Sequence, residues 1–418
     1  MTANEPESGL RPQRLEWVAE STEGEAPADP AWNLYSDNIV ESNWNVTNSM
    51  EGRDAVGSPD SEGHYRGPEE ATATFTYHLQ QQITSGVAEH DFMTRDSANE
   101  FPNTHTVVER QVFESGGNDS AGIRKYWVGV GGKGASVNIE GDPGASEPLP
   151  VELEYQFEKG RQYLIHQPSS GTTLEVSSDS DDDTTQTLTI EDEGAGTTED
   201  VSLNGTTTVT TTATFSDIDA AYLDGETVGD VTITDGSGTT LMTIYGADTY
   251  SDGATDLEGD LGVPALGGGS HASAIAQDYE VFRGTSVLEQ STSHANLEPY
   301  DLTNFVITVE NDIATTNRSD SPRMRLSEGQ RTVTVEGDVL GNAASYESVK
   351  DHLTNTGDQL TWNLGYTQIQ IPHAVVVEAP EDTTSAGEAA IEKSVTFEAS
   401  ARDETGSSVS VITFGTPP

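Results

Sequence analysis

Apolar residues in this chain recur at every second position in short runs, and that period decides what the chain can fold into. Ala71-Thr72-Ala73-Thr74-Phe75-Thr76-Tyr77-His78-Leu79 sets Ala, Phe, Tyr and Leu on one side and Thr and His on the other, the alternation of a half-buried β-strand. Phe305-Val306-Ile307-Thr308-Val309 is a second such run. Only 33% of residues are apolar, a content at which disorder competes with folding. The grouping of those residues into alternating runs, separated by Gly- and Asp-rich turns, favours a folded β-protein. The fold class is all-β with one short helix. That helix is predicted over 345–353, where Ser345 suits the N-cap and Tyr346, Val349 and Leu353 share a face.

The runs divide the chain into three segments. Residues 1–167 open with an extended piece over 14–20 and carry strands over 71–79, 107–113, 126–130 and 136–139. The run 153–165 is long enough to bend or to be two strands. A Gly/Pro/Asp-rich stretch over 50–70 reads as a long loop. Residues 168–260 change character, with short strands over 174–176, 187–190, 201–203, 208–215, 231–233 and 241–245, separated by Asp-, Gly- and Thr-rich turns. That density of strands is the mark of a small β-sandwich. Pro168-Ser169-Ser170-Gly171 before it and Gly267-Gly268-Gly269-Ser270 after it make it an insertion in a larger fold. Residues 261–418 resume alternation over 305–309, 332–339, 368–371, 374–377, 394–399 and 408–414. No fixed-period repeat is present.

Charge sets the working medium. Asp and Glu number 71 against 19 Lys and Arg, for a formal net charge of −52. Such self-repulsion works against a compact state at ordinary ionic strength, whereas in about 1 M salt the Debye length falls to roughly 3 Å. The composition is that of a protein built for brine. Cysteine is absent, which excludes disulfides and thiolate metal sites. No stretch reaches the roughly 18 apolar residues of a membrane span, and the polar, acidic opening lacks the apolar core of a signal peptide; cytoplasmic synthesis without membrane insertion is the expectation. Binding nucleic acid through its phosphates needs clustered Lys and Arg, which this chain lacks.

Motifs that carry chemistry are few. Gly129-Val130-Gly131-Gly132-Lys133-Gly134 fits G-x-G-x-x-G, but a dinucleotide loop must open a helix, and Ala135-Ser136-Val137-Asn138-Ile139 reads as a strand. The glycines are predicted to form a hairpin turn. Asp179-Ser180-Asp181-Asp182-Asp183 starts like a calcium loop but has Thr184 and Ile190 where that loop needs Gly and Glu. Asp179, Asp181 and Asp183 are therefore candidates for no more than a weak Ca²⁺, Mg²⁺ or Na⁺ site, beside the reading as a solvated turn. The nine histidines lack zinc-ligand spacing, no G-x-S-x-G elbow is present, and no cofactor or enzymatic activity is expected. Trp17, Trp32, Tyr35 and Trp44 are read either as anchors on a neighbouring subunit or as core.

Several segments, taken in order, resemble the major tail tube protein of siphovirus-type tailed viruses. They are Leu15-Glu16-Trp17-Val18-Ala19-Glu20-Ser21 followed by Ala26-Pro27-Ala28-Asp29-Pro30; residues 301–312 with Asn304-Phe305, Val309 and Asn311; Gly329-Gln330-Arg331-Thr332-Val333-Thr334-Val335-Glu336-Gly337; and the closing 387–399 and 406–414. The likeness covers roughly 10–165 and 275–416. Residues 168–260, through Thr173-Leu174-Glu175-Val176-Ser177-Ser178 and Leu203-Asn204-Gly205-Thr206-Thr207, look like the Ig-like domains that such viruses add to structural proteins.

The resemblance implies a tail-tube β-sandwich or partial barrel carrying an Ig-like β-sandwich. Hexameric rings would stack into a tube in the virion of a haloarchaeal virus, assembled in the host cytoplasm. The implied partners are further copies of the chain, other tail and tail-completion proteins, and viral DNA passing through the lumen without specific binding. Arg53, Asp54 and Arg66 in the 50–70 loop are then the ring-stacking candidates. The alternatives are a secreted haloarchaeal surface or adhesion protein of β-sandwiches and another virion structural protein such as a capsid decoration protein.

Overall fold

The computed structural model describes residues 10–27, 31–35, 39–52, 64–79, 83, 87–95, 100–113, 122–141, 149–168, 170–192, 196–247, 259–264, 266, 287–288, 302–317, 324–340, 357–363, 367–378, 392–402 and 411–415. The first segment contributes β1 (Leu10–Ala19), β2 (Asn33–Leu34), β3 (Ile39–Gly52), β4 (His64–His78), helix α1 (Ala88–Met93), β5 (His105–Phe113), β6 (Ile123–Gly141), β7 (Pro150–Phe157) and β8 (Lys159–His166). The spine is β6, 19 residues long. Its first half pairs with β5 and β8, and its second half with β7.

Two expectations are corrected here. The glycine run is no hairpin: β6 passes straight through Gly129–Gly134, and of those glycines Gly131 alone has positive φ, at 69°. The glycines are there for close approach. A Cβ on Gly129 would lie 2.6 Å from the Phe157 ring, and one on Gly134 would lie 2.3 Å from Phe92 Cγ, the usual meaning of glycine inside a strand. The 50–70 stretch is only partly a loop, because β3 runs to Gly52 and β4 starts at His64, with Arg66 opposite Met50. The 153–165 run is two strands, β7 and β8, which part at Glu158, whose N–H turns to Val130 O at 3.0 Å. The sequence-predicted helix over 345–353 lies outside the described residues; the described helix is α1.

The second segment builds two four-stranded sheets from β9 (Leu174–Ser178), β10 (Thr187–Asp192), β11 (Thr197–Ser202), β12 (Val209–Thr210), β13 (Ile218–Leu223), β14 (Val231–Asp235), β15 (Thr240–Ile244) and β16 (Gly262–Val263). Their orders are β11-β10-β13-β16 and β12-β9-β14-β15. Leu174, Val176, Leu188, Ile190, Val231 and Ile233 are buried. The run expected as a strand over 208–215 shrinks to two residues. Thr211 Oγ1 caps Leu174 N–H at 2.8 Å and Glu199 takes the N–H groups of Thr212 and Ala213, a local competition that ends ladders.

The third segment adds β17 (Val287–Leu288), β18 (Leu302–Asn317), β19 (Met324–Leu340), β20 (Gly357–Asn363), β21 (Gln368–Glu378), β22 (Glu392–Ala399) and β23 (Thr413–Gly415). The runs at 368–371 and 374–377 are one strand, β21, whose register with β20 slips across Pro372, since proline cannot donate to the ladder. Every pair of strands among the described residues is antiparallel. A large sheet runs β3-β4-β7-β6-β18-β19-β22-β21-β20-β17, with β23 on β21. A smaller one, β2-β1-β5-β6-β8, shares the spine.

The two sheets face each other over a core that includes Trp17, Phe75, Tyr155, Phe305 and Ile371. The far face of the small sheet carries Val108, Tyr126, Tyr163 and Ile165, which merge with the sandwich core. The layers are therefore large sheet, small sheet, sandwich. No helix among the described residues is long and apolar enough to cross a membrane.

Candidate functional surface

The large sheet has one face in the core and one uncovered face, and the strand registers fix what lines the second. One row across the sheet reads Asn43, Thr74, Glu154, Ser136, Glu310, Thr332; the next reads Glu41, Thr76, Glu152, Asn138, Thr308, Thr334, Glu398, Val375; a third reads Glu140, Val306, Glu336, Thr396. None of these residues is buried, and none is Lys or Arg. Each carboxylate stands opposite a hydroxyl, amide or apolar residue, never another carboxylate. Like charges directly opposite destabilise a sheet; within a row, carboxylates two strands apart lie roughly 10 Å from one another, about the Debye length at 0.1 M, while Glu152 and Glu154 are closer neighbours along β7. Arg325 stands beyond these rows, where the β18–β19 hairpin extends past β6. These three rows can repel polyanions and offer no cation to hold them; the adjoining row Asn45, Thr72, Gln156 ends on Lys133, which is buried.

Several of the described cations are spent inside. Arg124 bonds Asp219 at 2.6 Å and Asp217 at 2.7 Å, and Arg110 bonds Asp219 at 2.7 Å. Lys159 and Arg161 meet Asp260 at 2.9 and 2.8 Å. These four side chains clamp the sandwich to the small sheet. The Gln167 amide adds a two-way bond to the backbone of Ile218 at 2.6 and 2.9 Å. Lys133 joins Glu23 and Glu328 on the first and third segments.

A second polar centre lies fully within the core. His105 stacks on Trp17 at 4.5 Å; its Nε2 is 3.2 Å from Asp91 and its Nδ1 3.1 Å from the Tyr155 hydroxyl, which is 2.6 Å from that of Tyr35. Burial would raise the Asp91 carboxyl, but hydrogen bonds from His105, His90 and Asn103 outweigh it and hold the group well below the usual range. Burial pushes Glu89 up, only partly offset by the Tyr77 hydroxyl that donates to it at 2.5 Å. Glu20 accepts the N–H groups of Gly24 and Gly131 and the hydroxyls of Thr104 and Thr106. These groups are sealed from solvent, and they tie α1 and the irregular chain around β1 to the sheets.

No protein-family model matches the chain, and no curated protein matches it.

The sequence-read candidates are scattered. Both Asp183 oxygens are used, by Val228 N–H, Gly229 N–H and the Ser178 hydroxyl. Asp179 takes the Asp230 N–H and Asp181 the Thr206 hydroxyl. The three side chains thus fasten separate segments of the sandwich, and among the described residues no cluster of His, Asp and Glu is arranged to hold a metal. Arg53 and Asp54 lie outside the described residues. Trp17 and Tyr35 are core, with Trp44 packed against it and Trp32 against the sandwich-side cluster. The uncovered face itself went unread in the sequence, although its Thr/Glu alternation was visible there; which face stays open is a matter of layering.

Proposed function

We propose that the chain is a structural subunit of a virion tail tube from a haloarchaeal tailed virus. Copies join side by side into rings, rings stack, and DNA passes through the lumen without being held. The observation that carries this reading is the layering. The polar face, with its three rows free of Lys and Arg, and the sandwich lie on opposite sides of the molecule, so a ring with that face inward carries the sandwich outward. The large sheet is open, and among the described residues β3, 14 residues long, pairs on one side alone, with β4. A free edge of that length is a template for another chain, and ring closure removes it. The work done is passive and needs no catalytic group.

Electron microscopy of the purified protein in about 2 M salt, where self-repulsion is screened, is expected to show rings or hollow tubes; monomers under all conditions would refute the reading. Replacing Glu152, Glu310 and Glu398 together by Lys is expected to make assembled particles retain duplex DNA in a salt-dependent manner, while the parent particles retain none.

A further inference from the structure

An unbroken stack of aromatic rings runs from the surface to the buried polar centre, and tube assembly makes no use of it. Trp127 on β6 is half-buried and lies over Trp44 on β3, with ring centres 5.7 Å apart and planes 5° apart. Trp44 stacks on Phe157 at 5.3 Å and 13°, and Phe157 on Tyr155 at 5.1 Å and 7°. Tyr155 is 0% exposed. Aromatic pairs in cores favour offset or edge-on contacts of this spacing, so packing alone accounts for the rings. It does not account for the charges placed along them. Lys125 Nζ sits 4.9 Å from the outer Trp127 ring. The indole N–H of Trp44, one step inward, donates to the buried carboxylate of Glu109. At the inner end the Tyr155 hydroxyl meets His105 Nδ1, and Asp91 faces the other ring nitrogen.

We infer that this stack conducts an oxidising equivalent from Trp127 to Tyr155, making Tyr155 a buried redox site. A one-electron oxidant at the surface, such as a photoexcited acceptor or an oxygen-centred radical, removes an electron from Trp127 and is itself reduced. The Lys125 cation disfavours the radical cation there, and the Glu109 anion favours it on Trp44, so an electron moves outward from Trp44. Tyr155 then gives an electron to Trp44 across the intervening Phe157 ring, and its hydroxyl proton passes to His105 Nδ1. The balance is one electron to the oxidant and one proton from Tyr155 to His105, leaving a neutral tyrosyl radical beside an imidazolium paired with Asp91. For this step His105 is neutral, with its proton on Nε2 toward Asp91 and a lone pair on Nδ1 toward Tyr155. Burial pushes the Tyr155 hydroxyl well above its usual pKa, so a preformed phenolate is not the electron donor and a proton acceptor is required. This inference stands independently of tube assembly.

The test is flash photo-oxidation of the full chain in molar salt with a ruthenium(III) polypyridyl oxidant, read by electron paramagnetic resonance and transient absorption. A tryptophanyl signal is expected to give way to a long-lived neutral tyrosyl signal. Tyr155→Phe is expected to remove the long-lived signal; if its yield is unchanged, the radical resides on surface tyrosines and the inference falls. Trp127→Phe keeps a ring in the stack and leaves the core intact. It should slow the appearance of the tyrosyl radical, and an unchanged rate would overturn the route. His105→Gln should remove the solvent deuterium effect on the last step, and persistence of that effect would overturn the role of His105 as proton acceptor.

Discussion

Gly134 has ordinary backbone angles, yet a methyl group there would overlap the ring of Phe92, 2.3 Å away and held on α1. Gly134→Ala is therefore expected to cost about 1–3 kcal/mol as overpacking, whereas Gly171→Ala, with nothing within 4 Å, should stay within about 0.5 kcal/mol of the parent; urea unfolding at fixed molar salt checks both. Glu89 gives a pH test. Its carboxyl binds a proton more tightly folded than unfolded, because burial raises its pKa above the ordinary 4.5. Its contribution to stability is full in acid and is lost as pH rises through the raised value. The parent should lose stability relative to Glu89→Gln as pH climbs from the ordinary carboxyl range, and parallel pH profiles would contradict this. Asp91 has the opposite sign, its contribution being lost as pH falls below the ordinary range. The glycine run was visible in the sequence, but its cause was not. G-x-G-x-x-G between two β-runs has the composition of a turn, and only the arrival of Phe92 and Phe157 from elsewhere makes it a strand that must stay bare.

Strand identity was largely readable because period-2 alternation is a local property. β1, β4, β5, β9, β10, β14, β18, β19 and β22 all fall on runs seen in the sequence. β13 was missed because its register with β10 slips between Ile218 and Ala220, so its buried residues Ile218, Ala220, Ala221 and Leu223 do not alternate strictly. β6 was cut in two for want of its partners. The clamp between small sheet and sandwich is likewise an arrangement between elements. Asp217 and Asp219 flank one end of β13 and Arg110 and Arg124 sit on β5 and β6, 93 to 109 residues away. Arg124→Ala leaves Asp217 without this partner and removes the bond to Ile218 O. A loss of about 2–3 kcal/mol is expected for charge-assisted bonds in a largely buried seam, with faster hydrogen exchange in β13 and β16. Molar salt should not erase the difference, since Asp219 is 15% exposed and Arg124 11%.

At the scale of the whole molecule, acidic residues far outnumber basic ones, and Arg110, Arg124, Lys159, Arg161 and Lys133 are drawn inward to the sandwich seam and the Lys133 junction. Lowering salt from about 2 M to about 0.1 M lengthens the Debye length to roughly 10 Å. The melting temperature should therefore fall steeply, and a neutral osmolyte at matched osmolarity should not restore it; a flat dependence on salt would show that the charge is not what limits stability. The sequence by itself determined the all-β class, the strongly anionic charge and the sandwich-like character of the middle segment, because period, charge and turn composition can be read along the chain. Tertiary structure alone decided that β6 serves two sheets, that several of the scarce cations become a clamp, and that three rows across one open sheet face are free of Lys and Arg. Each of those depends on residues a hundred or more positions apart meeting in register, and no local pattern encodes which face of a strand another layer will cover.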